Sequence, residues 1–296
     1  MKRIVFIFLA LNFLTSCVSY KRSNTIFQYG NYMKNINNEY SQTSGLNYII
    51  TFPEDYSDNS DKYPVIVFLH SLAERGDDIN LLVNNPDGQG YGIAEYAKET
   101  DFPFITISPL CPKDTYWPLI TRKLDKLLSD VSARYRVDKK RIYLTGVSMG
   151  GMGVWSFANN YPKWFAAIAP ISGGIYFPPM IIDKYKFKDI PIWAFHSRYD
   201  QEIPLKKEEV FAQKIKELNN SIIYTIEESD VHYLQNDIYR KGELFNWFLT
   251  KIPISGNVNS LNVSCAGSIF LWDIYQNSND HLTTASTSYD ETSVNM

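Results

Sequence analysis

Apolar residues in the middle of the chain occur as short runs separated by stretches of mixed polarity. A continuous apolar run occupies positions 65–69, and a second run, with Thr106 and Ser108 among apolar residues, occupies 104–108. Such runs are typical of strands that are buried on both faces of a sheet, where the alternation of polar and apolar residues is lost. Further strands are predicted at five β-rich segments: 48–52, 141–145, 165–171, 190–195 and 222–226.

Helical spacing separates these runs. In the clearest case, six apolar residues recur at intervals of one, three or four positions: Ile120, Leu124, Leu127, Leu128, Val131 and Tyr135. That spacing places them on one face of a helix. Further helices are predicted over 151–160, 205–218 and 237–249. The alternation of strand and helix predicts one α/β domain over residues 46–252, with a mostly parallel central sheet and helices on both faces.

The N-terminus has the pattern of an export signal. Lys2 and Arg3 precede an apolar run over 4–14, which only Asn12 interrupts. A run this short cannot cross about 30 Å of hydrocarbon, which requires about 20 residues. It fits the apolar region of a secretory signal peptide, predicted here over residues 1–16.

The residue that follows this signal is a cysteine. The sequence Leu14-Thr15-Ser16-Cys17 resembles the bacterial lipobox, in which the cysteine is acylated after cleavage. The resemblance implies a lipid-modified Cys17 and an exported cell-envelope lipoprotein held on a membrane through its acyl chains. The alternative is an ordinary signal peptide with a chance cysteine, which would make the protein secreted.

Polar segments flank the predicted domain. Residues 17–45 are rich in Asn, Tyr and Ser and are predicted to form a lipid-anchored tether. Residues 253–296 form a Ser-, Thr- and Asn-rich tail that is predicted to be disordered. The segment 269–272 is the only apolar island in that tail, and a docking segment built on it is the alternative.

Composition and charge exclude several classes of protein. With 29 Lys and Arg against 32 Asp and Glu, the net charge is −3, and no basic run could follow a phosphate backbone. Nucleic acid is therefore not expected as a partner. Hydrophobic residues make up 45% of the chain, which is enough for a sizeable core. Three cysteines are too few for a disulfide scaffold, and Cys111 and Cys265 are predicted to be free.

A serine motif lies between a predicted strand and a predicted helix. Gly146-Val147-Ser148-Met149-Gly150 has the form G-x-S-x-G and directly follows the strand at 141–145. The strand–turn–helix setting is what a nucleophile elbow requires, because the sharp turn pushes the serine hydroxyl out at the top of the sheet. Ser148 is therefore the candidate nucleophile. The alternative is a glycine-rich turn whose serine only caps the helix.

A serine nucleophile needs a histidine within hydrogen-bond reach. On this kind of elbow the partners follow in the order serine, acid, histidine. His70 precedes the serine, His196 precedes the expected position of the acid, and His281 lies in the tail. His232, in the loop before the last predicted helix, is therefore the candidate base.

The acid that orients this histidine is expected in the loop after the strand at 190–195. Asp200 lies there, and Glu202 is the nearest rival. Asp230 is disfavoured because it is too close in sequence to His232. The alternative for any of these acids is a role in solubility alone.

A tetrahedral intermediate needs about two N–H donors for its negative oxygen. One is expected from the backbone of Met149, the residue after the nucleophile. The second is expected from the loop that follows the strand at 65–69. There we predict the N–H of Leu72, with that of Ser71 as the alternative.

Four stretches together resemble the α/β-hydrolase superfamily, and most closely its dienelactone hydrolase and phospholipase/carboxylesterase-like group, with the secreted "predicted peptidase" and feruloyl-esterase-like relatives. They are Phe68-Leu69-His70 with Glu74-Arg75-Gly76-Asp77-Asp78; Ser108-Pro109-Leu110-Cys111-Pro112 followed by Trp117; Gly146-Val147-Ser148-Met149-Gly150-Gly151-Met152-Gly153; and Phe195-His196 with Asp200 and Pro204.

The resemblance implies the α/β-hydrolase fold, a triad of Ser148, Asp200 and His232, and ester hydrolysis through an acyl-enzyme. His70, Ser71 and Trp117 lie in or beside the matching stretches and are candidates for the substrate pocket. The chain departs from the family pattern at three positions. Ser71 and Ser197 replace usual glycines, and the segment after His232 lacks the usual tryptophan and reads Tyr233-Leu234-Gln235.

The sequence thus predicts a carboxylic ester hydrolase that requires neither a metal nor an organic cofactor. Acyl or feruloyl esters of polysaccharide are the expected substrates of such a surface enzyme. A serine peptidase of the same fold is one alternative. A non-catalytic binding protein on this scaffold is another, and it would explain Ser71 and Ser197. The sequence gives no indication of the oligomeric state.

Overall fold

A computed structural model describes residues 36–83, 92–99, 102–175 and 183–251. The predicted signal peptide, Cys17 and the tail at 253–296 lie outside these ranges, as do residues 17–35 of the predicted tether. Within the ranges, the helices are too short or too polar to traverse a bilayer.

The described strands form one sheet, in the order β1-β2-β4-β3-β5-β6-β7-β8. The strands are β1 (Ile36–Ser41), β2 (Leu46–Thr51), β3 (Tyr63–Leu69), β4 (Ile105–Pro109), β5 (Val137–Val147), β6 (Ala167–Ile171), β7 (Ile192–Ser197) and β8 (Ile222–Glu227). Strands β3 to β8 pair in parallel, whereas β1 and β2 add an antiparallel edge. This sheet confirms the predicted α/β class.

Helices cover both faces of the sheet. They are α1 (Ile93–Glu99), α2 (Thr121–Arg134), α3 (Met149–Asn160), α4 (Lys206–Lys216), α5 (Gln235–Lys241) and α6 (Glu243–Leu249). Alternate residues of β3 belong to different cores: Val65 and Val67 pack with α2, α3 and α4, while Ile66 and Phe68 pack with α1, α5 and α6. The continuous apolar run of β3 is therefore that of a strand buried on both faces.

The sheet begins earlier than the sequence predicted. Strand β1 lies inside the segment 17–45 that was expected to be a tether, and it pairs from Ile36↔Thr51 to Ser41↔Leu46. Its sequence is polar, so it shows no apolar periodicity. The buried Glu39 is nevertheless satisfied, because Tyr48 donates to its carboxylate at 2.8 Å and Arg134 forms an ion pair with it at 2.8 Å. The lower boundary of 46 for the domain is thus wrong.

The last predicted helix is interrupted. The segment 237–249 forms the two helices α5 and α6, and Gly242 separates them with a φ of 72°. Glycine adopts this left-handed conformation without the steric cost of a Cβ atom and commonly ends helices. Helix α1 was not predicted at all.

Candidate active site

Ser148 lies alone between a strand and a helix. Strand β5 ends at Val147 and helix α3 begins at Met149, so one residue makes the whole turn. Its φ of 58° and ψ of −118° are unusual for a residue with a side chain. Such strain persists only where the surroundings enforce it, and it is concentrated at functional sites. Here the Ser148 N–H is held by the carbonyl of Ile171 on the neighbouring strand, at 3.0 Å.

The glycines of the motif allow β3 and α3 to approach each other. A Cβ atom on Gly150 would lie 1.8 Å from the carbonyl oxygen of Leu69, and one on Gly146 would lie 2.6 Å from the same oxygen. Real Cβ atoms do not approach backbone atoms this closely, so neither position admits a larger residue. The spacing of the motif is thus explained by packing at the end of β3.

A histidine and a carboxylate meet at the same edge of the sheet. Asp200 follows the carboxyl end of β7, and His232 follows that of β8. Ser148 follows the carboxyl end of β5, and the ends of parallel strands lie on one edge, where ligands of α/β sheets bind. His232 Nδ1 is 2.7 Å from Asp200 Oδ2. Because an ionised carboxylate only accepts, Nδ1 carries the proton and Nε2 is the basic nitrogen.

The Asp200 carboxylate is held on both oxygens. Its Oδ1 accepts the N–H groups of Glu202 and Ile203, each at 2.9 Å. Burial of the side chain disfavours its ionisation, but the hydrogen bonds from His232 and from these N–H groups outweigh burial and lower the pKa of Asp200. The carboxylate is therefore ionised at neutral pH.

The other nitrogen of His232 faces the opposite way. Nε2 is buried and makes no hydrogen bond to the part of the chain that the structure describes. The carboxylate of Glu202 lies 3.6 Å from it, on a side chain that is 58% exposed. Asp230 is exposed and has no ion pair with His232. Among the three acids considered from the sequence, only Asp200 is bonded to Nδ1.

His70 supports the loop that carries one expected oxyanion donor. Its Nδ1 donates to the Ser71 carbonyl at 2.7 Å, and its Nε2 accepts the N–H of Cys111 at 2.9 Å. Trp117 Nε1 donates to the His70 carbonyl at 2.9 Å. Burial lowers the pKa of His70 to about 4, so the ring is neutral and has the one donor and one acceptor that these bonds require.

These contacts correct the prediction of three substrate-pocket residues. His70, Ser71 and Trp117 are at most 1% exposed, so their side chains do not face solvent in a pocket. The Ser71 hydroxyl donates to the carboxylate of Glu74 at 2.7 Å and accepts the N–H of Ala73 at 3.2 Å. The three residues therefore support the loop after β3 through buried hydrogen bonds.

The two predicted oxyanion donors differ in their exposure. Leu72 is 51% exposed, whereas Met149 is buried at the start of α3. Neither backbone N–H donates a hydrogen bond to another described residue. Both are thus free to bind an oxygen of a ligand.

Ser197, which departs from the family pattern, joins β7 to the loop of His232. Its hydroxyl donates to the carbonyl of Val231, the residue before His232, and lies 3.0 Å from the hydroxyl of Ser229. Tyr233, the third departure, packs its ring edge-on to the imidazole of His232 at 4.9 Å between centroids. These side chains brace the histidine loop.

Sequence reasoning missed one residue beneath the site. Glu208 is fully buried on α4, in a segment that was interpreted only as a charged amphipathic helix. Its position was detectable, because Glu208 shares the buried face of α4 with Ala212 and Ile215 at helical spacing. Throughout the described ranges, the site included, no group of three or more His, Cys, Asp or Glu side chains is arranged to hold a metal ion.

Comparisons with known proteins concern the fold and the family that the chain resembles. Residues 113–241 match the model of the Phospholipase/Carboxylesterase family. A solved thermostable esterase is 29% identical, with a TM-score of 0.62 over 73% of this chain and 62% of that one. The feruloyl esterase module of Clostridium thermocellum has a TM-score of 0.57 at 12% identity, over 76% of this chain and 90% of that module. The chain has the α/β-hydrolase fold.

A curated relative matches over a shorter segment. The bifunctional acetylxylan esterase/xylanase XynS20E of Neocallimastix patriciarum is 28% identical over 106 residues. The match covers 36% of this chain and 14% of that protein. The matching segment is thus a small part of that relative.

Proposed function

We propose that the protein is a serine esterase that hydrolyses carboxylic esters through an acyl-enzyme on Ser148. One observation carries the proposal. His232 is hydrogen-bonded to the ionised Asp200 carboxylate at 2.7 Å, and both lie at the sheet edge where Ser148 occupies a strained strand–helix turn. Nucleophile, base and orienting acid are the parts that acyl transfer by serine requires.

Acylation begins at the serine hydroxyl. Ser148 Oγ bonds to the ester carbonyl carbon while His232 Nε2 accepts the hydroxyl proton. Asp200 keeps Nδ1–H oriented and stabilises the imidazolium that forms. The backbone N–H groups of Met149 and Leu72 bind the oxyanion of the tetrahedral intermediate. Its collapse breaks the carbon–oxygen bond to the alcohol, which leaves with the proton from His232.

Deacylation repeats these steps with water. His232 Nε2 accepts a proton from water as the water oxygen bonds to the acyl carbon. The second intermediate releases the carboxylic acid, and the proton returns to Ser148 Oγ. Every proton is carried by His232, so these steps need no cofactor.

Acyl or feruloyl esters attached to polysaccharide are the proposed substrates. The names of two similar proteins, the feruloyl esterase module and the acetylxylan esterase/xylanase, support this class. We expect hydrolysis of p-nitrophenyl acetate, methyl ferulate and acetylated xylan, with no cleavage of matched peptide substrates. Peptide cleavage would instead favour a serine peptidase, and no turnover of any substrate would favour a binding protein.

We propose that the protein is anchored to a membrane through Cys17, because the sequence 14–17 resembles a lipobox. Replacing Cys17 with serine should move the protein out of the detergent-extracted membrane fraction, because stable anchoring requires more than one acyl chain. Cys265→Ser is the matched control and should leave the distribution unchanged. Mass spectrometry of the mature N-terminus checks the result, and an unmodified N-terminus at another residue would contradict the proposal.

A further inference from the structure

A glutamate and a histidine are buried together behind the loop of Asp200. Glu208 on α4 and His196 near the end of β7 are both 0% exposed. His196 Nδ1 lies 2.7 Å from Glu208 Oε2. The other carboxylate oxygen accepts the indole N–H of Trp155 at 2.6 Å, and the hydroxyl of Tyr224 lies 3.4 Å from Oε2. The carboxylate is thus fully enclosed by partners from three elements.

The other nitrogen of His196 must be a donor. His196 Nε2 lies 2.8 Å from the carbonyl oxygen of Ile203, which can only accept. Burial alone would lower the pKa of His196, but the Glu208 carboxylate and the Ile203 carbonyl outweigh it and raise that pKa. Burial has the opposite effect on an acid, and it raises the pKa of Glu208. The pair therefore keeps a proton between Nδ1 and Oε2 in addition to the proton on Nε2.

His196 is connected to Asp200 in two ways. Directly, its Nε2 is 3.5 Å from Asp200 Oδ2, the oxygen that also binds His232. Indirectly, it holds the carbonyl of Ile203, whose N–H donates to Asp200 Oδ1. A shift of the His196 ring would thus displace both oxygens of the Asp200 carboxylate.

We propose that Glu208 and His196 are positioning residues that fix the Asp200 carboxylate and place a partial positive charge behind it. The proposal rests on the proposed function of Ser148, Asp200 and His232. A buried ion pair is weak evidence for stability, since an apolar replacement of the same shape often serves as well. The ionisable pair of Glu208 and His196 does more than fill space, because its proton lies against the Asp200 carboxylate that orients His232.

Few titratable groups face this pair. Asp200 approaches it from the loop after β7, and Tyr224 approaches Glu208 from β8. Burial and the Glu208 carboxylate raise the pKa of Tyr224 far above neutrality, so Tyr224 stays uncharged. Trp155, from α3, does not titrate. The field that Asp200 experiences from behind is therefore set by the protonation of His196 and Glu208.

The test compares Glu208→Gln with Glu209→Gln, the same change one residue along α4 on a partly exposed side chain. The glutamine side chain introduced by Glu208→Gln can still hydrogen-bond to His196 Nδ1, so packing is kept while the carboxylate is lost. We expect Glu208→Gln to lower kcat for p-nitrophenyl acetate about ten-fold with little change in KM, since a small misplacement of a catalytic group is costly. Glu209→Gln should retain wild-type values.

The pH profile separates positioning from structural support. The acid limb of kcat/KM reports protonation of the Asp200–His232 couple. A positive charge on His196, behind Asp200, opposes a second positive charge on His232, in front of it. Without the Glu208 carboxylate, His196 no longer keeps its extra proton. The acid limb of Glu208→Gln should therefore move to higher pH. A variant with a lower unfolding temperature but an unchanged kcat and pH profile would overturn the proposal.

Two further measurements do not depend on turnover. The low-field NMR resonance of the His232 Nδ1 proton should move in Glu208→Gln and stay in place in Glu209→Gln. In the wild type, ring ¹⁵N shifts should show His196 protonated on Nε2 from about pH 5 to 8, the range in which an ordinary histidine titrates. A freely titrating His196 ring would overturn this proposal even if Glu208→Gln fails to fold. Absence of wild-type ester hydrolysis with these NMR results intact would instead count against the esterase function alone.

Discussion

Replacing Ser148 with alanine should lower kcat/KM for p-nitrophenyl acetate by about 10⁴ or more, with the fold retained. The change removes one oxygen and leaves the backbone of the elbow, whose geometry is set by Gly146, Gly150 and the close approach of Leu69. What is lost is the atom that we propose forms the acyl bond. Steady-state kinetics and the unfolding temperature, measured on the same preparation, check both parts of the expectation.

Ser172 provides a matched control for this variant. It is the other described non-glycine residue with a positive φ, at 45°, and it directly follows β6 as Ser148 directly follows β5. Ser172 is fully buried, so Ser172→Ala makes the same chemical change without removing a group that a substrate could reach. It should keep near wild-type turnover. Near wild-type turnover of Ser148→Ala would instead show that another residue is the nucleophile.

Replacing Asp200 with asparagine should reduce kcat by about 10⁴, as expected when the base is left in the wrong tautomer. The asparagine side chain can present an amide N–H to His232 Nδ1, which would then have to accept and would place the proton on Nε2. A protonated Nε2 cannot take the proton of Ser148. The comparison of kcat at several pH values measures the loss.

Glu202→Gln is the matched control for the acid. The Glu202 carboxylate lies 3.6 Å from Nε2 rather than beside Nδ1, and its side chain is mostly exposed. Its replacement should change kcat by a few-fold at most. A mild Asp200→Asn together with a severe Glu202→Gln would mean that Glu202 is the orienting acid.

The parts of the fold that the sequence predicted are those in which local pattern and burial coincide. Strand β3 is a continuous apolar run because both of its faces are covered, and helix α2 shows its buried face as a regular spacing. Strand β1 shows neither signal, because its buried residues Glu39 and Ser41 are polar and depend on partners distant in sequence. Such tertiary compensation leaves no local trace.

In the candidate site too, some residues have a local sequence signal and others depend on contacts distant in sequence. Ser148 was predicted as the nucleophile because its motif stands between a strand and a helix, and His232 and Asp200 were predicted as its partners from chain order. The burial of His70 and Trp117 depends on contacts between segments that are distant in sequence, which no spacing reveals. They were therefore predicted as pocket residues, whereas they support that loop.

The two serines that replace family glycines are accounted for by hydrogen bonds. Ser71 bonds to Glu74 within the loop after β3, and Ser197 bonds to the carbonyl of Val231 beside His232. In both cases the added hydroxyl ties a loop down near the site. Neither residue requires the alternative of a non-catalytic binding protein.

Trapping of the acyl-enzyme tests the central claim most directly. The protein is treated with a fluorophosphonate or a slowly hydrolysed ester, digested, and mapped by peptide mass spectrometry, with Ser148→Ala and Ser172→Ala treated in parallel. We predict a stoichiometric adduct on Ser148 in the wild type and in Ser172→Ala, and none in Ser148→Ala. Ester turnover without an adduct on Ser148, or with the adduct on another residue, would contradict the account.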